Sequence, residues 1–151
     1  VGFGQLDLDP ARLDAVMGGA LDQIAADAVV VELRGGHVDR QDHLLAEQPH
    51  GVLRGYACYG PTPCTESAWD LYWLVVHPAA QGVGLGRLLL DRVAEAVRSE
   101  GGTALYAETA GKPAYAPTRA FYARTGFQAV ATIPDFYARG DAKLILLHPL
   151  E

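Results

Sequence analysis

Cysteine, methionine and positive charge are all scarce in this chain. Two cysteines and one methionine occur in 151 residues, and 12 basic residues stand against 18 acidic ones, for a formal net charge of −6. An acidic balance argues against nucleic-acid binding, which draws on a basic face. Cys58 and Cys64 lie outside any histidine or cysteine cluster of zinc spacing, so free thiols and no metal site are predicted.

Long apolar runs are also missing. No stretch reaches the ~18–20 apolar residues that a membrane span requires. The chain does not open with a basic segment followed by an apolar one, so no signal peptide, no membrane partner and a cytoplasmic location are expected. Half of the residues are apolar and 20% are charged, which suffices for a packed core. The length predicts a single domain over residues 1–151.

Helical and strand patterns alternate along the chain. Helical spacing predicts helices over residues 10–24, 85–98 and 119–124, and strand patterns cover residues 3–8, 43–47, 52–59, 69–76, 103–108, 127–133 and 143–148. Residues 27–33 read either as the end of a helix or, because Val29, Val30 and Val31 are β-branched, as a strand. Residues 134–141 are predicted to form a loop. Interleaved elements of this kind predict a mixed α/β sheet with helices on both faces.

The strongest chemical signal is the turn that follows the strand at 69–76. It reads Gln81-Gly82-Val83-Gly84-Leu85-Gly86-Arg87 and leads into a leucine-rich helix. Glycines without Cβ atoms let the backbone curl until several N–H groups point into one space. The first helical turn adds unpaired N–H groups and the positive end of the helix dipole. The pattern therefore predicts a phosphate cradle, with Arg87 as a charged contact.

Other phosphate-binding loops fit these residues less well. A P-loop requires Gly-Lys-Ser/Thr, whereas Gly86 precedes Arg87 and Leu88. A dinucleotide fingerprint requires a third glycine at position 87 and an acidic residue at a strand end ~20 residues beyond. Judged on its glycines alone, the segment also remains compatible with a tight turn that binds nothing.

Two motifs resemble signatures of the GNAT superfamily of N-acetyltransferases. Gln81, Gly84 and Gly86 match the signature Gln/Arg-x-x-Gly-x-Gly/Ala, between the expected apolar strand and the expected helix. Residues 120–127 loosely match Ala-x-x-Tyr-x-x-x-Gly-Phe, although Ala120 lies one position later than the signature alanine. The resemblance covers residues 56–147, and the two motifs stand in the expected order with a strand between them.

The resemblance implies a mostly antiparallel mixed sheet in which the strands at 69–76 and 103–108 part from one another. The pantetheine arm of acetyl-CoA would lie in that gap, where the N–H of Leu74 would face the thioester oxygen. Tyr115 precedes the motif tyrosine by the spacing at which relatives often carry a pantetheine-binding asparagine. The implied cofactor-binding residues are Leu74, Val75, Val76, Gln81, Gly82, Val83, Gly84, Leu85, Gly86, Arg87 and Tyr115.

The resemblance also implies an acid and a base. Tyr122 matches the usual general acid, since a phenol with a pKa near ~10 is protonated at neutral pH and can give its proton to a thiolate. Asp70 and Glu108 are equal candidates for the base, with His77 and solvent as further alternatives. The implied reaction is direct acetyl transfer from acetyl-CoA to a primary amine in a ternary complex.

The acceptor and the assembly are less defined by the resemblance. A small-molecule or peptide amine is expected, and residues 135–137 would form a loop that closes over it. A non-catalytic acyl-CoA-binding module of the same fold is the alternative function. A homodimer is a further expectation, because sheet edges in this family often pair.

Overall fold

The computed structural model describes residues 29–33, 42–47 and 53–151. This part of the chain contains seven strands and two helices. The strands are β1 Val29–Leu33, β2 Asp42–Glu47, β3 Leu53–Pro61, β4 Ala68–Val76, β5 Ala104–Ala110, β6 Gln128–Ala138 and β7 Asp141–Pro149. The helices are α1 Leu85–Ser99 and α2 Ala116–Arg124, each preceded by a short 3-10 turn, Pro78–Ala80 and Pro113–Tyr115 respectively.

All seven strands belong to one sheet in the order β1-β2-β3-β4-β5-β7-β6. Neighbouring strands run antiparallel except β4 and β5, which run parallel. Parallel neighbours need a crossover connection, and α1 provides it. The predicted mixed, mostly antiparallel α/β sheet is confirmed.

The parallel pair separates before either strand ends. Pairing between β4 and β5 begins at Ala68 and Ala104 and stops after Leu71 and Ala107. Strand β4 nevertheless continues to Val76, still paired with β3 on its other side. The splay between the two central strands is therefore confirmed, and it leaves the β5-facing edge of β4 without a partner strand in the described part of the chain.

A β-bulge coincides with the point of separation. Cys58 of β3 pairs with Trp73, whereas the next residue, Tyr59, pairs with Leu71, so Tyr72 is the extra residue. A bulge bends its strand and increases the local twist. Because it lies directly after the last β4–β5 pair, it turns the end of β4 away from β5.

Helix α1 packs across β2, β3 and β4 and supplies much of the core. Its apolar residues recur at helical spacing and turn one stripe toward the sheet. The buried residues of α1 are Leu85, Leu89, Leu90, Val93, Ala94 and Val97. They share a cluster with sheet residues of the opposing face and with Tyr122 and Phe127, which lie on or next to α2. Both described helices thus hold the same core.

Two sequence interpretations are settled by the strand pairing. Residues 29–33 form a strand, in keeping with their β-branched side chains. The loop predicted over residues 134–141 is wrong, because β6 runs to Ala138 and only Arg139 and Gly140 form the turn. The predicted strand at 3–8 and helices over 10–24 lie outside the described residues, so the helices expected on the second face stay a prediction.

Residues 134–137 form a large bulge within β6. Ile133 pairs with Lys143 and Ala138 pairs with Asp141, so four residues of β6 lie opposite Ala142 alone. Proline is tolerated at such a position because an edge strand does not need every N–H. The sequence pattern suggested a loop because proline and aspartate interrupt the strand signal, yet the chain resumes pairing after them.

Replacing Leu89 by alanine tests the core. Leu89 is fully buried under α1, so the substitution leaves a cavity and is expected to lower the free energy of unfolding by about 2–5 kcal/mol. The neighbouring Leu88 is only partly buried, and Leu88→Ala is expected to cost about 1 kcal/mol. Urea unfolding followed by circular dichroism measures both, and equal losses would contradict the burial of Leu89.

Candidate active site

The loop between β4 and α1 is shaped by two glycines in the left-handed region. Gly82 has φ +78° and Gly84 has φ +91°, conformations that side chains with a Cβ rarely adopt. The ring nitrogen Nδ1 of His77 accepts a hydrogen bond from the Ala79 N–H at 3.2 Å and caps the short turn before the loop. His77 therefore acts as a turn residue in this structure.

The side chain of Gln81 closes the loop onto the strand. Its Nε2 donates to the carbonyl of Val76 at 3.1 Å, which ties the loop to the last residue of β4. Gly84 then occupies the N-cap of α1 without a side chain that could accept from the first turn. The first helical hydrogen bond runs from the Leu88 N–H to the Gly84 carbonyl at 3.0 Å.

The amides before that bond point to no protein acceptor. Among the described residues, the backbone N–H groups of 82–87 make no hydrogen bond. Helix starts without capping side chains leave these donors for a ligand, and the helix dipole adds positive potential there. No acidic residue lies in the first turn of α1 to compete. The geometry is therefore compatible with the phosphate cradle predicted from the glycines, which stays a prediction.

A cleft of about 420 Å³ opens from this cradle toward α2. Its walls come from three segments, namely the end of β4, the glycine loop and one side of α2. The lining residues are Leu74, Val76, Gln81, Gly82, Gly84, Leu85, Gly86, Arg87, Pro117, Thr118, Phe121, Tyr122 and Arg124. The cleft thus joins the cradle to the open edge of β4 and to the motif tyrosine.

Tyr122 lies at the inner wall of the cleft and is only 8% exposed. Its ring packs edge-on against Phe121 and Phe127, at centroid distances of 5.6 and 5.0 Å. Burial raises the pKa of Tyr122 to about 12, because the phenolate loses its hydration. The hydroxyl therefore stays protonated throughout the physiological range and can donate a proton.

The two candidate bases lie on adjacent strands, outside the lining of this cleft. Asp70 on β4 pairs in register with Tyr106 of β5, two residues before Glu108. The carboxylate of Glu108 forms an ion pair with Lys143 of β7, at 2.6 Å between Oε1 and Nζ. Asp70 forms no ion pair with another described residue. The two carboxylates therefore differ in their surroundings.

The environment of Asp70 suits a proton acceptor. Partial burial raises the pKa of Asp70 above its ordinary value, and the nearby charge of Glu108 raises it further. An interaction with the side chain of Thr62 and the positive charge of Lys143 lower the pKa in part. A carboxylate whose pKa moves toward neutrality is a stronger base at the working pH.

The bulge in β6 places two aromatic rings beside these charges. Phe136 and Tyr137 are 52% and 48% exposed and meet edge to face at 5.0 Å. The Lys143 ammonium lies 4.6 Å from the Phe136 ring centroid. Burial raises the pKa of Tyr137, and the neighbouring carboxylates of Glu108 and Asp141 raise it further.

The comparisons with known proteins agree with this geometry. The profile of the GNAT acetyltransferase domain matches residues 39–129. The chain belongs to the GNAT family of acetyltransferases. A solved protein of Desulfovibrio desulfuricans assigned to the same family is 48% identical, with 74% of this chain and 69% of that one covered and a TM-score of 0.72. The chain is therefore an acyltransferase by family.

Two further GNAT structures share the fold and were solved with the cofactor. A Salmonella typhimurium protein assigned as an acetyltransferase, solved with acetyl-CoA, is 26% identical, covers 74% of this chain and 65% of its own, and has a TM-score of 0.62. An aminoglycoside 6′-N-acetyltransferase complexed with coenzyme A is 18% identical, covers 74% and 73%, and has a TM-score of 0.65. A search of curated proteins finds no match.

Most of the cofactor-binding residues predicted for this GNAT chain line one cleft. Three do not. The side chain of Val83 is 47% exposed at the loop tip, and Val75 lies between the lining residues of β4. Tyr115 sits at the start of α2, where the Lys112 ammonium lies 5.3 Å from its ring centroid. The roles of all the predicted residues toward a cofactor stay predictions.

Sequence reasoning missed four residues on α2. Pro117, Thr118, Phe121 and Arg124 line the cleft, and Arg124 brings a second guanidinium to a site where only Arg87 was expected. Their spacing along the helix was the available signal, since Pro117, Phe121 and Arg124 lie four and three positions apart and share one face, as do Thr118 and Tyr122. Which face meets the glycine loop depends on tertiary packing.

The structure also bears on the two cysteines and on the character of the described helices. Neither cysteine forms a disulfide, as predicted, and Cys58 is buried whereas Cys64 is exposed. In the described ranges, no helix has the length and apolar character to cross a membrane.

The buried phenol of Tyr122 predicts a specific pH dependence of stability. Because its pKa rises from 10 to about 12 on folding, its contribution is complete below pH 10 and is lost as the pH rises through 12. Over that interval the wild type should lose stability relative to Tyr122→Phe by about 1 kcal/mol per pH unit. Urea unfolding of both proteins between pH 9 and 12 measures this, and parallel curves would contradict it.

Proposed function

We propose that this GNAT protein transfers the acetyl group of acetyl-CoA to a primary amine by direct attack in a ternary complex. One observation carries the proposal. A single cleft connects a set of unpaired backbone amides, the open edge of a splayed strand and a buried, protonated tyrosine. Each of these meets a different need of thioester chemistry.

The amide cradle fits the diphosphate of CoA. The backbone N–H groups of residues 82–87 form no hydrogen bond with any residue in the described ranges, and the positive end of the α1 dipole lies behind them. Arg87 and Arg124 line the same cleft and add positive charge. Among the described residues, Arg87 makes only a loose exposed contact with Asp91, 3.8 Å from Nε to Oδ2, which leaves its guanidinium accessible to a ligand.

The open edge of β4 fits the pantetheine arm. Beyond Leu71 no described strand pairs with this edge, so its N–H and C=O groups can bond to the amides of the arm as an added strand would. The gap exists because β4 and β5 separate. Leu74, which lines the cleft, is the residue we expect to direct its N–H toward the thioester oxygen.

When bound, acetyl-CoA supplies an electrophilic thioester carbonyl and a thiol leaving group. We assign Tyr122 as the general acid that gives its hydroxyl proton to the departing sulfur. The raised pKa of Tyr122, caused by burial, keeps that proton in place until a strong base forms beside it. Phe121 and Phe127 pack against its ring and fix its orientation.

We assign Asp70 as the base that takes the proton of the amine, directly or through water. Glu108 is already paired with Lys143 at 2.6 Å, whereas Asp70 has no ion-pair partner among the described residues. Desolvation raises the pKa of Asp70, which strengthens it as a base. The acceptor is then expected to approach from the side of the sheet on which Asp70, Phe136 and Tyr137 lie.

Isothermal titration with CoA tests the cradle and the role of Arg124. Arg124→Ala removes one guanidinium from the cleft and is expected to weaken CoA binding about tenfold. The matched control is Arg92→Ala, because Arg92 lies on α1 in an exposed pair with Glu95, outside the cleft. Equal affinities for the two variants would remove Arg124 from the site, and no binding of millimolar CoA to folded protein would remove the proposed function.

Turnover of Asp70→Asn and Glu108→Gln separates the two candidate bases. The acceptor is first identified by mass spectrometry of acetylated products from a panel of primary amines. Asp70→Asn is then expected to lower kcat by about 10²–10⁴-fold, with the KM for acetyl-CoA unchanged. Glu108→Gln should stay within a few-fold of the wild type. The reverse order would assign the base to Glu108, and no product from any amine would favour a non-catalytic binding module.

A further inference from the structure

Lys143 is a buried cation that the proposed reaction does not yet use. It lies on β7, in register with Ala110 of β5 and Ile133 of β6, and is only 9% exposed. Lysine is rarely buried unless paired, because its ammonium loses hydration. Its burial near Glu108 and close to Asp70 therefore calls for a role.

Three elements meet at the ammonium of Lys143. Its Nζ lies 2.6 Å from Oε1 of Glu108 on β5 and 4.6 Å from the ring centroid of Phe136 in the bulge of β6. Its charge also acts on Asp70 of β4. The Lys143 side chain thus pairs with Glu108, acts on Asp70 through its charge and packs on the ring of Phe136.

The charges of this region pair unevenly. Lys143 is paired with Glu108, and Lys112 is paired with Asp141 at 3.5 Å. Two lysines therefore engage two of the three carboxylates, and Asp70 is the third. An incoming ammonium group supplies the missing positive charge at Asp70, which is where the amine has to lose its proton.

We propose that Lys143 is a positioning residue with two effects. It engages Glu108, so that Asp70 alone receives the proton of the amine, and it packs on Phe136, so that the rings of Phe136 and Tyr137 are held against the acceptor. The inference rests on the proposed acetyl transfer. It assigns Lys143 no contact with the reacting atoms.

A test of the proposal has to separate the effect of Lys143 on the pKa of Asp70 from the effects of the other titratable groups nearby. The titratable groups coupled to Asp70 are Tyr72 on β4, Glu108 on β5 and Lys143 on β7, and Tyr106 of β5 pairs with it in register. Cys58 on β3 is coupled to Tyr72, and Tyr137 on β6 is coupled to Glu108. Of these, Lys143 is the cation. Removing its charge should therefore raise the pKa of Asp70, and removing the charge of Glu108 should lower it.

The direct experiment is a carboxyl ¹³C NMR titration of Asp70 in the full chain, with Asp70→Asn used to assign the resonance. In Lys143→Met the midpoint is expected at higher pH than in the wild type, in Lys143→Arg close to the wild type, and in Glu108→Gln at lower pH. The matched control is Lys112→Met, which removes the neighbouring lysine and should leave the midpoint unchanged. The same midpoint in Lys143→Met and Lys112→Met would overturn the proposal.

Kinetics test the second half of the proposal. Lys143→Met is expected to raise the KM for the amine about two- to five-fold, the value of a lost cation–π contact, and to leave the KM for acetyl-CoA unchanged. Phe136→Leu should raise the same KM, and the double variant should add little to either change. Additive effects would show that Lys143 does not act through Phe136.

The two levels of inference fail separately. The NMR titration needs no substrate, so it reads the electrostatic role of Lys143 without turnover. If Asp70→Asn abolishes turnover but Lys143→Met leaves the titration midpoint of Asp70 unchanged, Asp70 remains the assigned base and the proposed role of Lys143 is wrong. If the midpoint shifts but Asp70→Asn retains turnover, the assignment of the base is wrong. Should Lys143→Met not fold, Lys143→Gln removes the same charge, and an unshifted Asp70 midpoint in that variant overturns the proposal.

Discussion

The early end of pairing between β4 and β5 is the constraint on which the site depends. The two strands share hydrogen bonds only as far as Leu71 and Ala107, where the bulge at Tyr72 turns β4 aside. Parallel strands require a crossover, so α1 must start close to the end of β4. Its uncapped first turn therefore faces the same gap that the separating strands open. Backbone geometry alone brings the amide cradle and the free strand edge together.

In the proposed reaction, the proton donor and the proton acceptor lie on opposite faces of the sheet. On the helical face, Tyr122 is buried among aromatic rings, and desolvation raises its pKa to about 12. On the other side of β4, Asp70 lies near a paired carboxylate and a buried lysine, and partial burial raises its pKa. In the proposed reaction, Tyr122 can give a proton and Asp70 can take one at the same pH because their environments differ. We propose that the two groups act on the bound substrates through the gap between the strands.

The sequence predicted the elements around the glycine loop well, because they depend on local signals. The apolar run of β4, the alternating glycines and the leucine spacing of α1 each specify a structure within a few residues. The stretch after Pro134 was misjudged. Its proline and aspartate read as a loop, while pairing with β7 carries the chain through a bulge and back into the strand at Ala138. Pairing with a distant partner overrides such local signals.

The residues alone predicted the glycine turn and the strand before it, since backbone freedom at Gly82 and Gly84 and the helical period are encoded locally. The resemblance to the family pointed to the motif tyrosine. The tertiary structure decided which side of α2 meets the loop, and so added Arg124 to the cleft. It also decided the difference between Asp70 and Glu108. That difference arises because sheet register places Lys143, from the last strand, within 2.6 Å of Glu108. Contacts between residues so far apart in the chain leave no local pattern.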